Sequence, residues 1–215
     1  ENEPTEFMKL LYVDTDEKKV KEINAGKQIM KHLPQKKMQE FTANHGKATS
    51  NFDLIKDMDC ILVCVPTPLD IYEQPDMSYV KKATTTIANN IRKGQIIILE
   101  STTYPGTTRE IIKPILEESG LEVGKDFFLA YSPEREDPGN KDFPISKIPK
   151  VIGGLTEKCL NVANTLYSQI IEETVTVSSP ETAEATKLME NIFRAVNIAM
   201  VNELKLIFER MDINI

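Results

Sequence analysis

The sequence predicts an α/β protein: a doubly wound, mostly parallel sheet followed by one long helix. Three observations predict it. Short apolar runs alternate with amphipathic stretches over the first 177 residues, the order that builds βα units. Two of those runs, Cys60–Val65 and Ile96–Leu99, end abruptly in small polar residues and prolines, as buried parallel strands do. No glycine or proline interrupts the stretch from Glu181 to Met211.

Residues 1–6 are polar and read as a loose lead-in. Met8–Val13 reads as a short buried strand ending at Asp14-Thr15-Asp16. A helix follows through Asn24 and is closed by Gly26. His32–His45 reads as a connector with a short helix, and Asn51–Met58 as a small helix ahead of the Cys60–Val65 strand. The next helix spans Ser78–Arg92, with Ser78 as its cap and Gly94 as its stop. The strand Gln95–Glu100 follows, then a helix over Thr107–Glu118 that ends near Gly120. Phe127–Tyr131 is a strand running into Ser132-Pro133-Glu134-Arg135. Lys150–Ile152 reads as a strand, Glu157–Ile170 as a helix and Thr174–Val177 as the last strand.

Ser179 is placed to cap the long helix, and Pro180 suits its first position. Leu188, Met189, Ile192, Phe193, Val196, Met200, Leu204, Ile207, Phe208 and Met211 recur along it at helical spacing. At about 1.5 Å per residue this helix is roughly 45–50 Å long, more than one small sheet domain covers. It reads as an interdomain or intersubunit helix, so a domain over 1–177 is expected to give way to a second one beginning at 178.

A chain of 215 residues suits one full domain plus part of another, and 40% hydrophobic residues allow a normal core. A formal charge of −7 argues against a nucleic-acid partner, which needs a basic patch. It leaves room for a small anionic ligand, which needs only a few local cations. Cys60 and Cys64 fall on one face of an apolar strand, but no second Cys or His pair stands at metal-ligand spacing. With Cys159 they read as structural thiols in a reducing cytosol, so a cytoplasmic protein is expected. Neither a signal peptide nor an apolar run of membrane length is visible, and no membrane association is expected.

In open α/β sheets ligands bind at the C-terminal edge of the strands, where Ser101 and Thr102 are delivered. Asp14, at another strand end, has two readings: a helix cap, or the acidic residue that holds an adenosine ribose. Lys19 is a surface lysine unless a nucleotide lies beside it. Glu134 follows a strand end and suits a general base, or else pairs with Arg135. Lys187, Asn191 and Arg194 stand at i, i+4 and i+7 and share a helix face. They form either a cradle for a phosphate or oxyanion, or a solvated stripe paired with Glu184 and Glu190.

Four motifs, in order, carry a resemblance: VPTP (Val65–Pro68), ESTTYPGTT (Glu100–Thr108), YSPEREDPGN (Tyr131–Asn140) and TKLMENIFRAVNIAMVNEL (Thr186–Leu204). With them the chain resembles the UDP-glucose/GDP-mannose dehydrogenase family from about Leu11 onward, closest to the branch acting on UDP-N-acetylhexosamines. The resemblance implies an incomplete Rossmann-type NAD-binding domain and the first helix of a central dimerisation domain, with a homodimer through Ser179–Met211. It implies NAD as cofactor and a UDP-sugar as substrate. C6 would be oxidised from alcohol to carboxylate by two NAD⁺ in turn, through a cysteine-bound thiohemiacetal and thioester.

The same resemblance implies that Asp14 and Lys19 hold the adenosine ribose and nearby phosphate, and that Val65, Thr67 and Thr102 line the nicotinamide side. Thr102 would also place a water. Glu134 would assist hydrolysis, Lys187 and Asn191 would face C6 and its oxyanion, and Arg135 and Arg194 would contact the substrate. The family's glycine-rich βα unit and its catalytic cysteine have no match in these 215 residues, so the chain is expected to be an inactive segment of a larger enzyme. A second glutamate, found in some relatives four residues after the position of Glu134, is Pro138 here, with Glu136 or Asp137 as stand-ins. The alternative is a non-catalytic dimerising remnant of the same family.

Overall fold

The computed structural model describes residues 9–29, 34–135 and 147–214. They form two compact units, the first running to Ile55 and the second beginning at Lys56. The first contains β1 (Leu11–Val13), α1 (Glu17–Asn24), α2 (Gln35–Ala43) and β2 (Lys47–Thr49). Met8 and His32 lie outside the described residues.

β1 and β2 pair in parallel, Leu11 opposite Lys47 and Val13 opposite Thr49. α1 starts where the Asp16 carboxylate accepts the Lys18 and Lys19 N–H groups. It stops at Gly26, whose φ of 65° suits a residue without Cβ. Val20 and Ile23 of α1 pack on Met38 and Ala48. Asn24 then uses its side-chain amide as a surrogate strand. Its Nδ2 donates to the Ala48 carbonyl and its Oδ1 accepts the Ala48 N–H, both at 2.8 Å. Those bonds hold the short Lys-Ala-Thr strand β2, which no apolar run announces.

The second unit contains β3 (Cys60–Val63), α3 (Ser78–Ala88), β4 (Ile96–Leu99), α4 (Lys113–Glu117), β5 (Phe128–Tyr131), β6 (Lys150–Gly154), α5 (Glu157–Tyr167), β7 (Thr174–Val177) and α6 (Pro180–Arg210). Its strand order is β3-β4-β5-β6-β7. β3, β4 and β5 are parallel, and β7 is parallel to β6. β6 joins β5 antiparallel, with Tyr131 opposite Gly153. The mostly parallel sheet expected from the sequence is present with one reversal. That reversal brings the N-terminal end of β6 beside the C-terminal ends of β3, β4 and β5.

Residues Ile96 to Leu99 are buried along their whole length. Ile96 and Ile98 pack with Ala130 and Ile152 against Ala163 and Tyr167 of α5. Ile97, Leu99, Leu129 and Tyr131 alternate to the other face, closed by the turn after β4 and the first turns of α6. Each such side chain contributes about 1.5–3 kcal/mol on burial. A Cβ at Gly153 would strike the Ser179 carbonyl and Pro180, so glycine there lets α6 begin flush against the sheet.

Several boundaries differ from expectation: α3 ends at Ala88, not Arg92, and α5 at Tyr167, not Ile170. α3 is not capped by the Ser78 side chain; Asp76 accepts the Ser78 N–H at 2.9 Å instead. The helix expected over Thr107–Glu118 opens as a π-helical turn, Thr107–Ile112, before α4. Pro114 has no N–H to donate and its ring crowds the carbonyl four residues back, which favours the wider turn ahead of it. α6 starts as expected, with the Ser179 hydroxyl accepting the Thr182 N–H at 3.2 Å and Pro180 in the first position. Only Pro180, Ala183 and Glu184 of this helix are buried, and its apolar stripe from Leu188 onward stands exposed. Among the described residues no helix is long and apolar enough to cross a membrane.

Candidate active site

In the first unit Asp14 ends β1 but is not the helix cap; Asp16 takes that role. The Asp14 carboxylate accepts from Lys19 Nζ at 2.6 Å, the Tyr12 hydroxyl at 2.9 Å and the Asp16 N–H at 3.0 Å. Burial opposes its charge, but Lys19, the Asp16 N–H and Tyr12 outweigh it and hold the carboxyl below its ordinary pKa. The result is a fixed anion at a strand end, with a lysine beside it.

In the second unit the strand ends meet through Ser101. Its Oγ accepts the Val65 N–H at 2.9 Å and donates to the Val65 carbonyl at 2.8 Å. Thr67 Oγ1 donates to the Thr102 carbonyl at 2.8 Å. The loops after β3 and β4 are thus one clamped surface, with Ser101 and Thr103 buried and Thr102 exposed between them. Gly106, at φ 99°, then turns the chain into the π-helical turn.

Glu134 follows β5 on the same edge. Its Oε1 accepts the Arg135 N–H at 2.8 Å. Lys187 of α6 reaches it as well, Nζ donating to the Glu134 carbonyl at 2.7 Å. Burial holds the Lys187 ammonium below its ordinary pKa. The Arg135 guanidinium does not pair with Glu134; it binds Glu190 at 2.5 and 3.2 Å and the Pro149 carbonyl at 2.9 Å. Glu184 and Glu190 therefore do not make the solvated stripe with Lys187, Asn191 and Arg194. Glu190 is bound by Arg135. Glu184 is buried and accepts from the Gly106 N–H, the Thr108 N–H and Thr108 Oγ1 at 2.7–2.9 Å. Asn191 and Arg194 follow one and two turns beyond Lys187, Arg194 exposed. The stand-ins for the second glutamate, Glu136 and Asp137, and Pro138 itself lie outside the described residues.

Sequence reasoning missed the groups behind this edge. Lys150, the first residue of β6, puts Nζ 2.8 Å from Glu100 Oε1 and 3.5 Å from Glu134 Oε2. Tyr167 donates its hydroxyl to Glu100 Oε1 at 2.6 Å, and Lys150 Nζ lies 5.1 Å from the Tyr167 ring centre. A cavity of about 170 Å³ opens here, between Leu62, Ile148, Ile170 and Ile171 on its apolar side and Glu100, Glu134 and Lys150 on its polar side. The available signal was a lysine opening an apolar strand and a glutamate closing one. Their meeting depends on the reversal of β6.

Of the cysteines, Cys64 touches this cluster through Glu100. The Cys60 thiol is pushed up to about 11 by burial and nearby Glu100 and Asp59. Cys64 donates to Glu100 Oε2 at 3.3 Å and is pushed up to about 12, by desolvation first and Glu100 second. Cys159, in the first turn of α5, is buried. Among the described residues no group of three or more His, Cys, Asp or Glu is placed to hold a metal.

Residues 5–171 match the model of the UDP-glucose/GDP-mannose dehydrogenase family, NAD binding domain, and residues 181–215 match that family's central domain. NAD is thus the cofactor of the matched domain. Protein CapL of Staphylococcus aureus is 38% identical over 208 residues, 96% of this chain and 48% of CapL. UDP-N-acetyl-D-glucosamine 6-dehydrogenase of Salmonella typhi is 37% identical over 203 residues, 94% of this chain and 47% of that protein. The solved structure of UDP-D-ManNAc dehydrogenase from Pyrococcus horikoshii superimposes with a TM-score of 0.88 at 34% identity, covering 95% of this chain and 49% of that one. The chain spans about half the length of these relatives. The matched models, the fold and the order of strand-edge residues agree: the chain belongs to the UDP-glucose/GDP-mannose dehydrogenase family.

Proposed function

We propose that this chain supplies the cofactor side and the acid–base edge of an NAD-dependent nucleotide-sugar 6-dehydrogenase acting on a UDP-N-acetylhexosamine or UDP-hexose. The observation that carries the proposal is the Lys187–Glu134 contact at 2.7 Å. It ties a lysine of reduced basicity to the main-chain carbonyl of Glu134, on the strand edge that also presents Thr102.

The residues suit NAD. The fixed anion at Asp14 accepts hydrogen bonds from ribose hydroxyls and repels a 2′-phosphate, which favours NAD over NADP. NAD⁺, when bound, supplies the acceptor for hydride from C6. Lys19 balances Asp14 and lies where a nearby phosphate would gain from it. Val65 and Thr67 shape the wall beside the nicotinamide. Thr102 places a water and Glu134 takes its proton. Lys187 and Asn191 stabilise the negative charge that develops on the C6 oxygen, and Arg135 and Arg194 border the sugar nucleotide. Going from alcohol to carboxylate removes two hydrides from C6 and adds one oxygen from water.

The covalent route needs a thiolate. Cys60 and Cys64 are held strongly protonated and Cys159 is buried, so none of the three is the nucleophile in this proposal. The 215 residues alone are accordingly proposed not to complete the oxidation. The proposed division assigns 1–177 to the NAD-binding domain and 178–215 to the start of a dimerisation domain, because the α6 stripe from Leu188 to Met211 is exposed. A homodimer through Ser179–Met211 and a cytoplasmic location complete the reading.

Incubating the protein at its natural length with NAD⁺ and UDP-N-acetylglucosamine, UDP-N-acetylmannosamine, UDP-glucose or GDP-mannose tests it. The expected product is a uronic acid from a UDP-sugar, with loss of turnover in Lys187→Ala. No uronic acid from any of the four would refute the reading. Sedimentation of Phe193→Glu tests the dimer, which the charge is expected to dissociate.

A further inference from the structure

We propose that Lys150 is a positioning residue for Glu134, locked in place by Glu100 and Tyr167. The inference rests on the nucleotide-sugar dehydrogenase reading and adds to it a set of groups that works from behind the site.

The topology creates the contact. β6 runs against β5, so the first residue of β6 stands opposite the residues just past the end of β5. A lysine at the start of β6 thereby reaches a carboxylate at the ligand-binding edge. The Lys150 and Glu100 side chains are 11% and 12% exposed, whereas Glu134 is 52% exposed. Glu100 is fully committed: it accepts from Lys150, from the Tyr167 hydroxyl and from Cys64. The Tyr167 ring lies against the ammonium as a second restraint. These contacts fix the ammonium, and the fixed ammonium faces Glu134 Oε2 at 3.5 Å. The Arg135 N–H holds Oε1 and Lys187 holds the main chain. Glu134 is thus constrained at both oxygens and at its backbone while remaining half exposed to solvent.

Charge explains why the arrangement serves the site and not stability alone. A buried ion pair contributes little net stability, since desolvation offsets the attraction, and apolar replacements often do as well. Here one ammonium is shared by two carboxylates, so the cluster carries a net charge of −1. The exposed carboxylate, Glu134, is the one positioned to take up a proton from water. Lys150 keeps that carboxylate oriented towards the edge and prevents it from folding back against Glu100 through a shared proton.

The test is steady-state oxidation of UDP-N-acetylglucosamine, UDP-N-acetylmannosamine and UDP-glucose by the natural-length protein, with Lys150→Met, Lys150→Arg, Glu100→Gln, Glu134→Gln and the Lys150→Met/Glu134→Gln pair. Melting curves of each variant are recorded alongside. Lys150→Met is expected to lower kcat at least 30-fold with KM within about threefold, and Lys150→Arg to restore most of it. In the Glu134→Gln background, Lys150→Met is expected to cost less than threefold further, because its effect runs through Glu134. A purely structural lysine would lose the same factor in both backgrounds, and that result overturns the proposal. If Lys150→Met does not fold, Glu100→Gln decides: it keeps the shape but loosens the lock, and unchanged kcat contradicts the inference. An active wild type with unaffected variants refutes this inference alone. A wild type inactive on all three sugars refutes the functional reading, and this inference with it.

Discussion

The two compact units each hold a lysine–carboxylate pair, and the pairs differ in how they are made. Lys19 and Asp14 are five residues apart, joined by the turn from β1 into α1, and are 32% and 20% exposed. Lys150 and Glu100 are fifty residues apart, joined by the reversal of β6, and are 11% and 12% exposed. The first pair is local and partly hydrated; the second is distant in sequence and nearly dry. The difference teaches that a local pair can serve a ligand directly, as an anion presented at a strand end. A buried pair acts on other protein groups, and its loss should be felt first in stability and in the geometry of its neighbours.

The largest expected effect is on the buried pair. Glu100→Ala strands a buried ammonium and is expected to destabilise the second unit by about 3–5 kcal/mol in denaturant unfolding. Glu100→Leu combined with Lys150→Met removes both charges and is expected to recover most of that loss. If the double variant is as unstable as the single one, the comparison fails, because the cost would then lie in packing.

Glu184 comes next. Glu184→Ala leaves the Gly106 and Thr108 donors without their buried acceptor, at an expected cost of about 2–3 kcal/mol. Its pH dependence has a defined sign. Burial, opposed by those donors, raises the Glu184 carboxyl above its reference value of 4.5. A raised folded pKa contributes stability that is present below 4.5 and lost as pH rises through the folded value. The stability advantage of wild type over Glu184→Gln, read from melting curves, is therefore expected to shrink as pH rises from 4.5. A growing advantage would contradict the assigned burial.

The smallest stability effect is expected at the exposed pair. Asp14→Asn should cost about 1 kcal/mol at neutral pH. Asp14 has a lowered folded pKa, so its contribution is present above the reference value of 3.8 and lost as pH falls through the folded one. Wild type and Asp14→Asn should converge in acid, and a difference that persists below the folded pKa would rule out the charge as its source.

The same contrast explains what was legible in the sequence. The strands Ile96–Leu99 and Phe128–Tyr131, the Ser179 cap and the long helix depend on neighbours within a few residues, and the pattern of side chains reveals them. Thr102, Glu134 and Lys187 were legible as strand-end and helix-face residues, and the family motifs added their proposed roles. β2 was not, because β1 and the Asn24 side chain, both distant in sequence, supply its hydrogen bonds. Asp14 was misread as a possible cap because two aspartates flank Thr15 and only the geometry shows which one caps. The partners of Lys150, Glu100 and Glu184 were invisible for one reason: each is found through topology, and a charged residue beside an apolar run carries no sign of who waits opposite.

The claim that the two pairs do different work is tested most directly by titrating NAD⁺ into the natural-length protein and its Asp14→Ala and Lys150→Met variants by calorimetry. The account predicts at least tenfold weaker binding for Asp14→Ala and an affinity within about twofold of wild type for folded Lys150→Met. Equal losses in both, or a loss confined to Lys150→Met, would contradict it.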